Sequence, residues 1–186
     1  EEFGVDQMLE SCVRSFVLHC AKQHGAFYEN WKYYSEVNSA WVVSQYENEY
    51  NPLHNHTGCD ISGVIYLKVP NVKGRRNLES KTGKSDHDGD ITFVHSATGN
   101  RHFDIFEKGV MTTIPQPGMM VMFPSYLLHT VWPFIGEGER RCIAFNAVYN
   151  IHDDRNHFIA GNLSGIKNPT FYTHEKGKNW NYVEPA

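Results

Sequence analysis

A chain of 186 residues, 40% hydrophobic and 20% charged, has the make-up of a globular protein that can bury a core without disulfide staples. Its 17 Lys and Arg against 21 Asp and Glu leave a net charge of −4, which excludes a generally basic nucleic-acid binder. No apolar run approaches the roughly 20 residues of a membrane helix, and the 4 cysteines lack the CxxC pairing of a zinc ribbon or thioredoxin-type site.

Asp6 as a cap, apolar residues at Leu9, Cys12, Val13, Phe16, Val17 and Cys20, and Gly25 as a stop predict an amphipathic helix over 6–24. Beyond Gly25 the pattern changes to short β-branched and aromatic runs at 39–46, 61–69, 91–95, 110–114, 119–123, 129–134 and 142–149. Clusters of Gly, Pro, Asn and Asp separate them. Many short strands at such intervals predict a mainly β fold of the jelly-roll or barrel kind, with the helix packed on it. Segment 71–90, with Lys73, Arg75, Arg76, Lys81 and Lys84, reads as a long surface loop. Its closing acids, Asp86, Asp88 and Asp90, lack the glutamate that completes an EF-hand. After Asn150 the chain turns polar and irregular. The expected organisation is a single domain, 1–186, with a helix at 6–24, a jelly-roll core at 39–150 and a C-terminal extension at 151–186.

The chemistry concentrates in three places. The first is His54-Asn-His56, just before the apolar run Ile61-Ser-Gly-Val-Ile-Tyr66-Leu. On a strand, residues i and i+2 share a face, so the two imidazoles can meet one ion. The second is the turn Pro115-Gln-Pro-Gly118 and the strand behind it, which ends near His129 and offers a third imidazole from a distant segment. Imidazole suits Fe, Zn, Cu and Ni alike, so these ligands do not name the metal. The third is a turn at 136–138 that leads into a strand beginning with arginine. If Arg141 points inward, it needs an anion, and a planar guanidinium suits a carboxylate. Each feature alone also fits surface histidines or a solvated arginine.

The ordered set HxH, SGVIYL, GDITF, PxPGxxxxFPSxxxH and RxxxxFN, from about Ala40 to Tyr149, resembles the Fe(II)- and 2-oxoglutarate-dependent oxygenases. It is most similar to a family common in bacterial and phage genomes and related to prolyl hydroxylases. The resemblance implies a double-stranded β-helix with an HxD…H iron triad. It puts His54 and His129 at the two histidine positions and His56 where the aspartate usually stands. It also implies that Arg141 pairs with the far carboxylate of 2-oxoglutarate and that the Tyr66 hydroxyl helps hold it. The expected cofactors are therefore Fe(II), with 2-oxoglutarate and O2 as cosubstrates. The expected activity is a dioxygenase that hydroxylates a C–H bond in a peptide or small molecule, peptidyl proline being one option. The expected location is the cytoplasm of a bacterium or of a phage-infected cell.

The departure at His56 leaves a site of three neutral imidazoles in place of two histidines and a carboxylate. Asp60 is the nearest acid in sequence and an alternative ligand. With Asp60 as a fourth ligand, 54–60 also resembles the first motif of a cupin, though Tyr66 and the arginine then have no task. A non-catalytic jelly-roll binding module leaves the ordered histidines without a purpose. Trp132 and Tyr126 are candidates to line the pocket.

Overall fold

The computed structural model describes residues 4–25, 30–72, 79–80, 83–84, 87–95, 109–153, 155, 158–161, 171–173 and 181–183. Helix α1 spans Val5–Gln23, and strands follow at β1 Lys32–Gln45, β2 Asn51–His54, β3 Ile61–Lys68, β4 Glu79–Ser80, β5 Gly83–Lys84, β6 Ile91–Val94 and β7 Val110–Thr113. The remaining strands are β8 Met120–Pro124, β9 Leu128–Val131, β10 Arg140–His152, β11 Phe158–Gly161, β12 Phe171–Thr173 and β13 Asn181–Val183.

The chain alternates between two sheets. One has the order β13-β12-β1-β10-β3-β8, with β11 also paired to β10; the other has the order β2-β9-β6-β7. The rows β1-β10-β3-β8 and β2-β9-β6-β7 are the connectivity of a double-stranded β-helix, as the sequence leads one to expect. This connectivity matters for function because β2 and β9, 79 residues apart at Asn51 and Thr130, become neighbours. A site drawn from distant segments then needs no long-range loop.

The chain forms two compact units. The first comprises residues 1–40, 58–62 and 145–186. Here α1 buries Leu9, Val13 and Val17 at four-residue spacing, with Leu18 and Arg14 flanking them. Each fully buried aliphatic side chain contributes roughly 1.5–3 kcal/mol. The helix is tied to β1 by Ser35, whose hydroxyl donates to the Glu10 carbonyl at 3.1 Å. Gly25 follows the helix with φ +66°, as a C-terminal stop requires. Asp6 lies inside the first turn instead of capping it; Gly4 occupies the cap position without a side-chain bond.

Strand β1 begins seven residues before the predicted Ser39. Tyr33 and Tyr34 point to opposite faces and both are buried, which erases the period-2 signal that marks a half-buried strand. The supposedly irregular C-terminal extension contributes strands: β12 pairs with β1 (Tyr33 opposite Tyr172) and with β13. The loop at 71–90 contains the short β4–β5 pairing, and its Asp88 and Asp90 are buried. Of its basic residues, Lys73, Arg75, Arg76 and Lys81 lie outside the described residues.

The second unit comprises residues 41–57 and 63–144. Its core has two clusters. Ile91, Phe93, Phe123 and Val131 form one; Val64, Tyr66 and Cys142 form the other. Val121 packs against both. It shares a face of β8 with Phe123, so one strand joins the two clusters.

Candidate functional site

His54 stands at the end of β2 and His129 in β9, and the two residues are paired across the sheet. Their ring centroids are 4.2 Å apart. His56 lies beyond the end of β2, so the same-face argument for i and i+2 does not describe it. Its backbone turns inward because the His56 N–H donates to the Ser125 carbonyl at 3.0 Å. Its ring comes to 5.3 Å from His54 and 5.2 Å from His129, parallel to the latter within 3°. The ligand nitrogens of the three residues lie within 4.8 Å of one another, the spacing that one metal ion can bridge.

The surroundings favour neutral imidazoles at His56 and His129. His129 is buried, with its ring against Phe123 (4.6 Å) and Phe93 (5.9 Å). Burial, reinforced by its two histidine neighbours, pushes its pKa down to about 4. Burial, and then His54, also lowers that of His56. Nδ1 of His54 lies 2.6 Å from the Pro52 carbonyl, and Nδ1 of His129 lies 3.0 Å from the Leu127 carbonyl. A carbonyl only accepts, so each Nδ1 meets its carbonyl as a donor, which leaves Nε2 as the ring nitrogen for a metal. Such carbonyl partners orient imidazoles for metal binding. Asp60 is not among the clustered groups; its carboxylate accepts the Tyr149 N–H at 3.1 Å.

Adjacent arginines in β10 have opposite fates. The Arg141 side chain is 47% exposed and forms an ion pair with Glu139 at 2.8 Å. Arg140 is 2% exposed. The strand begins two residues before the predicted Cys142, and alternation from buried Cys142 sends residue 140 inward and residue 141 outward. The inward condition set for Arg141 is therefore met by Arg140, and Arg141 faces outward. Counting RxxxxFN back from Phe145-Asn146 lands on Arg140, and that was the signal available.

The Arg140 guanidinium lies 4.9 Å from the centre of the Tyr66 ring and donates to the Tyr66 hydroxyl at 3.2 Å. Its other contacts are Gln45 Oε1 at 3.5 Å and Cys142 Sγ at 3.8 Å, both long. All three partners are neutral, and Nε is buried without a partner among the described residues. Burying an unpaired charge is costly, so this arrangement calls for an anion. Tyr66 is fully buried, and burial raises its pKa despite the neighbouring guanidinium. Its phenol accepts from Arg140 and keeps an O–H to donate. The core joins this position to the histidines: Val121 packs against the cluster that holds Tyr66 and Cys142 and against the cluster that holds Phe123, and Phe123 touches His129. Of the candidate lining residues, Tyr126 is 74% exposed, whereas Trp132 donates its indole N–H to Thr92 at 2.8 Å.

A double-stranded β-helix with a histidine cluster between β2 and β9, and a buried cation on β10, has the architecture of a mononuclear metal-dependent oxygenase. The family described as "Putative 2OG-Fe(II) oxygenase" matches residues 39–146, and the chain belongs to it. Similar solved structures include an oxidoreductase of the 2OG-Fe(II) oxygenase family from Burkholderia pseudomallei, at 12% identity and a TM-score of 0.42, covering 61% of this chain and 43% of that one. Another is a Pseudomonas putida prolyl-4-hydroxylase, at 15% identity and a TM-score of 0.40, covering 75% of this chain and 65% of that one. The chain thus spans less than two thirds of either structure. No curated protein matches it in sequence. Among the described residues, no helix is long and apolar enough to cross a membrane.

Proposed function

We propose that the protein is an Fe(II)- and 2-oxoglutarate-dependent dioxygenase that hydroxylates a C–H bond, with conversion of 2-oxoglutarate to succinate and CO2. The observation that carries this reading is the buried Arg140, which has no anionic partner among the described residues and lies in the same compact unit as three converging imidazoles. The donor set fits a divalent late metal, and the cationic seat fits the far carboxylate of a dicarboxylic keto acid. Bound Fe(II) and 2-oxoglutarate would supply the oxidising chemistry with O2.

The chain's own residues supply placement. His54, His56 and His129 would hold the metal through ring nitrogens, with His54 and His129 held in orientation by backbone carbonyls. Arg140 would bind the distal carboxylate, and the Tyr66 O–H would donate to it. That transfers to Arg140 the role expected of Arg141. Phe93 and Phe123 pack against His129 and keep water from that side of the site. The substrate is a peptide or a small molecule. Peptidyl proline is the option that kinship with prolyl hydroxylases suggests, and this is analogy. Four free cysteines suit a reducing cytoplasm, bacterial or phage-infected.

The test is an anaerobic titration of Fe(II)-loaded protein with 2-oxoglutarate. A visible charge-transfer band is expected only when both components are present. Iron binding without the band, at any 2-oxoglutarate concentration, overturns the proposal.

A further inference from the structure

Arg140 meets a side chain that could have been its counter-ion but is not one. Gln45 is 5% exposed at the end of β1, and its amide oxygen faces Nη1 of Arg140 at 3.5 Å. The amide has no freedom to turn. Its Nε2 donates to two backbone carbonyls, Glu49 at 2.5 Å and Trp132 at 3.1 Å, which occupies both hydrogens. The oxygen is thereby aimed at the guanidinium. A glutamate here would meet the same two carbonyls with an acceptor and would neutralise Arg140. The neutral amide restrains the guanidinium and leaves its charge uncancelled.

The acid nearest in sequence is kept away by the strand's alternation. Glu139 binds Arg141 at 2.8 Å and Lys68 at 3.4 Å, and it accepts from the Tyr46 hydroxyl at 3.5 Å. No carboxylate bonds Arg140 among the described residues. Of the five guanidinium N–H groups, three have the neutral partners already named, one each from Gln45, Cys142 and Tyr66. Two are left to receive an incoming carboxylate, Nε–H among them.

We propose that Gln45 is a positioning residue that fixes Arg140 without neutralising it, and so makes the site selective for a keto acid with a second, distal carboxylate. This rests on the reading of Arg140 as the anion seat. Selectivity comes from a cation held in place by neutral groups, which gains most from a ligand that supplies the missing charge. A keto acid without the distal carboxylate leaves Arg140 as it was.

The experiment is anaerobic calorimetric titration of Fe(II)-loaded protein with 2-oxoglutarate and with 2-oxobutyrate, which shares the keto acid end and lacks the far carboxylate. The unsubstituted protein is expected to prefer 2-oxoglutarate by about tenfold or more. In Gln45→Glu the preference should fall to near unity, with 2-oxobutyrate affinity within about threefold of its original value. Gln45→Met, neutral and of similar length, should weaken 2-oxoglutarate several-fold and leave 2-oxobutyrate unchanged. A general packing defect would weaken both keto acids together, so the ratio separates positioning from structure. A Gln45→Glu protein that binds Fe(II) normally and keeps the full preference overturns the role of Gln45 while leaving the dioxygenase reading intact. If Gln45→Glu does not fold, Gln45→Met decides, and an unchanged ratio overturns the inference. If the unsubstituted protein does not distinguish the two acids, the anion seat itself is wrong, and the inference falls with it.

Discussion

Arg140 and Arg141 are chemically identical neighbours separated by one step of strand alternation. Among the described residues, only the inner one lacks a carboxylate partner. Arg140→Met is expected to weaken 2-oxoglutarate binding by about tenfold to a hundredfold while Fe(II) affinity stays nearly constant. Arg141→Met should leave both within about twofold, because an exposed ion pair contributes little. Paired titrations of the two variants check this, and a larger loss from Arg141→Met would restore the original assignment. The histidines were legible from HxH and the distant PSxxxH because imidazoles at ordered spacing are scarce. Which arginine faces inward was not legible, because strand ends are read poorly from composition and a shift of one residue reverses the face. Gln45 carried no signal at all: its importance lies in two backbone carbonyls that only the fold brings to it.

At the level of elements, the turn before β8 ties the site to its frame. Gly118 has φ +83°, and its N–H donates to the Tyr66 carbonyl at 2.7 Å, while the Tyr66 N–H donates to the Met119 carbonyl at 3.0 Å. The strand that carries Tyr66 is thus held at the mouth of the turn. Gly118→Ala leaves enough space, since a Cβ there meets nothing within 4 Å. It still strains the left-handed backbone, so the expected cost is about 1–2 kcal/mol in urea denaturation, with a secondary loss of 2-oxoglutarate affinity through Tyr66. Unchanged stability would mean that the turn relaxes freely. Turns of this kind were visible in Pro115-Gln-Pro-Gly. Strand β2 was not, because it contains Pro52 and spans only four residues, with an irregular register between Asn51 and His54. The strands of the C-terminal extension were hidden for a related reason: runs of three or four residues carry too little periodicity to be distinguished from a loop.

For the molecule as a whole, the histidine cluster links stability to pH. The pKa of His129 is about 4 in the folded protein against an ordinary 6.5, and that of His56 is also lowered. Between those values the unfolded chain binds more protons than the folded one, so stability rises with pH across that window. The contribution is complete above 6.5 and is lost as pH falls toward about 4. For metal-free protein the expected loss is on the order of 1–2 kcal/mol after allowance for solvent screening. Comparing urea midpoints of the native chain and His129→Gln at pH 7.5 and pH 5 isolates it, because the variant should fall less. Equal falls in both would place the pH dependence elsewhere. The double-stranded β-helix itself was legible from many short strands; the alternation of sheets that brings β2 beside β9 was implied by the motif order and not by any single segment.

Among the described residues, His54, His56 and His129 converge as three imidazole donors with no carboxylate. A nitrogen-only set does not by itself select iron among late divalent ions, because the intrinsic order of affinity places copper and nickel above it. Supply then decides occupancy. If the cluster holds the metal as proposed, protein drawn from a nickel column or from copper-rich medium is expected to carry that ion in place of iron, which metal analysis on isolation checks. Under the proposed function, testing Fe(II) in vitro therefore requires stripping the site and refilling it with one ion at a time.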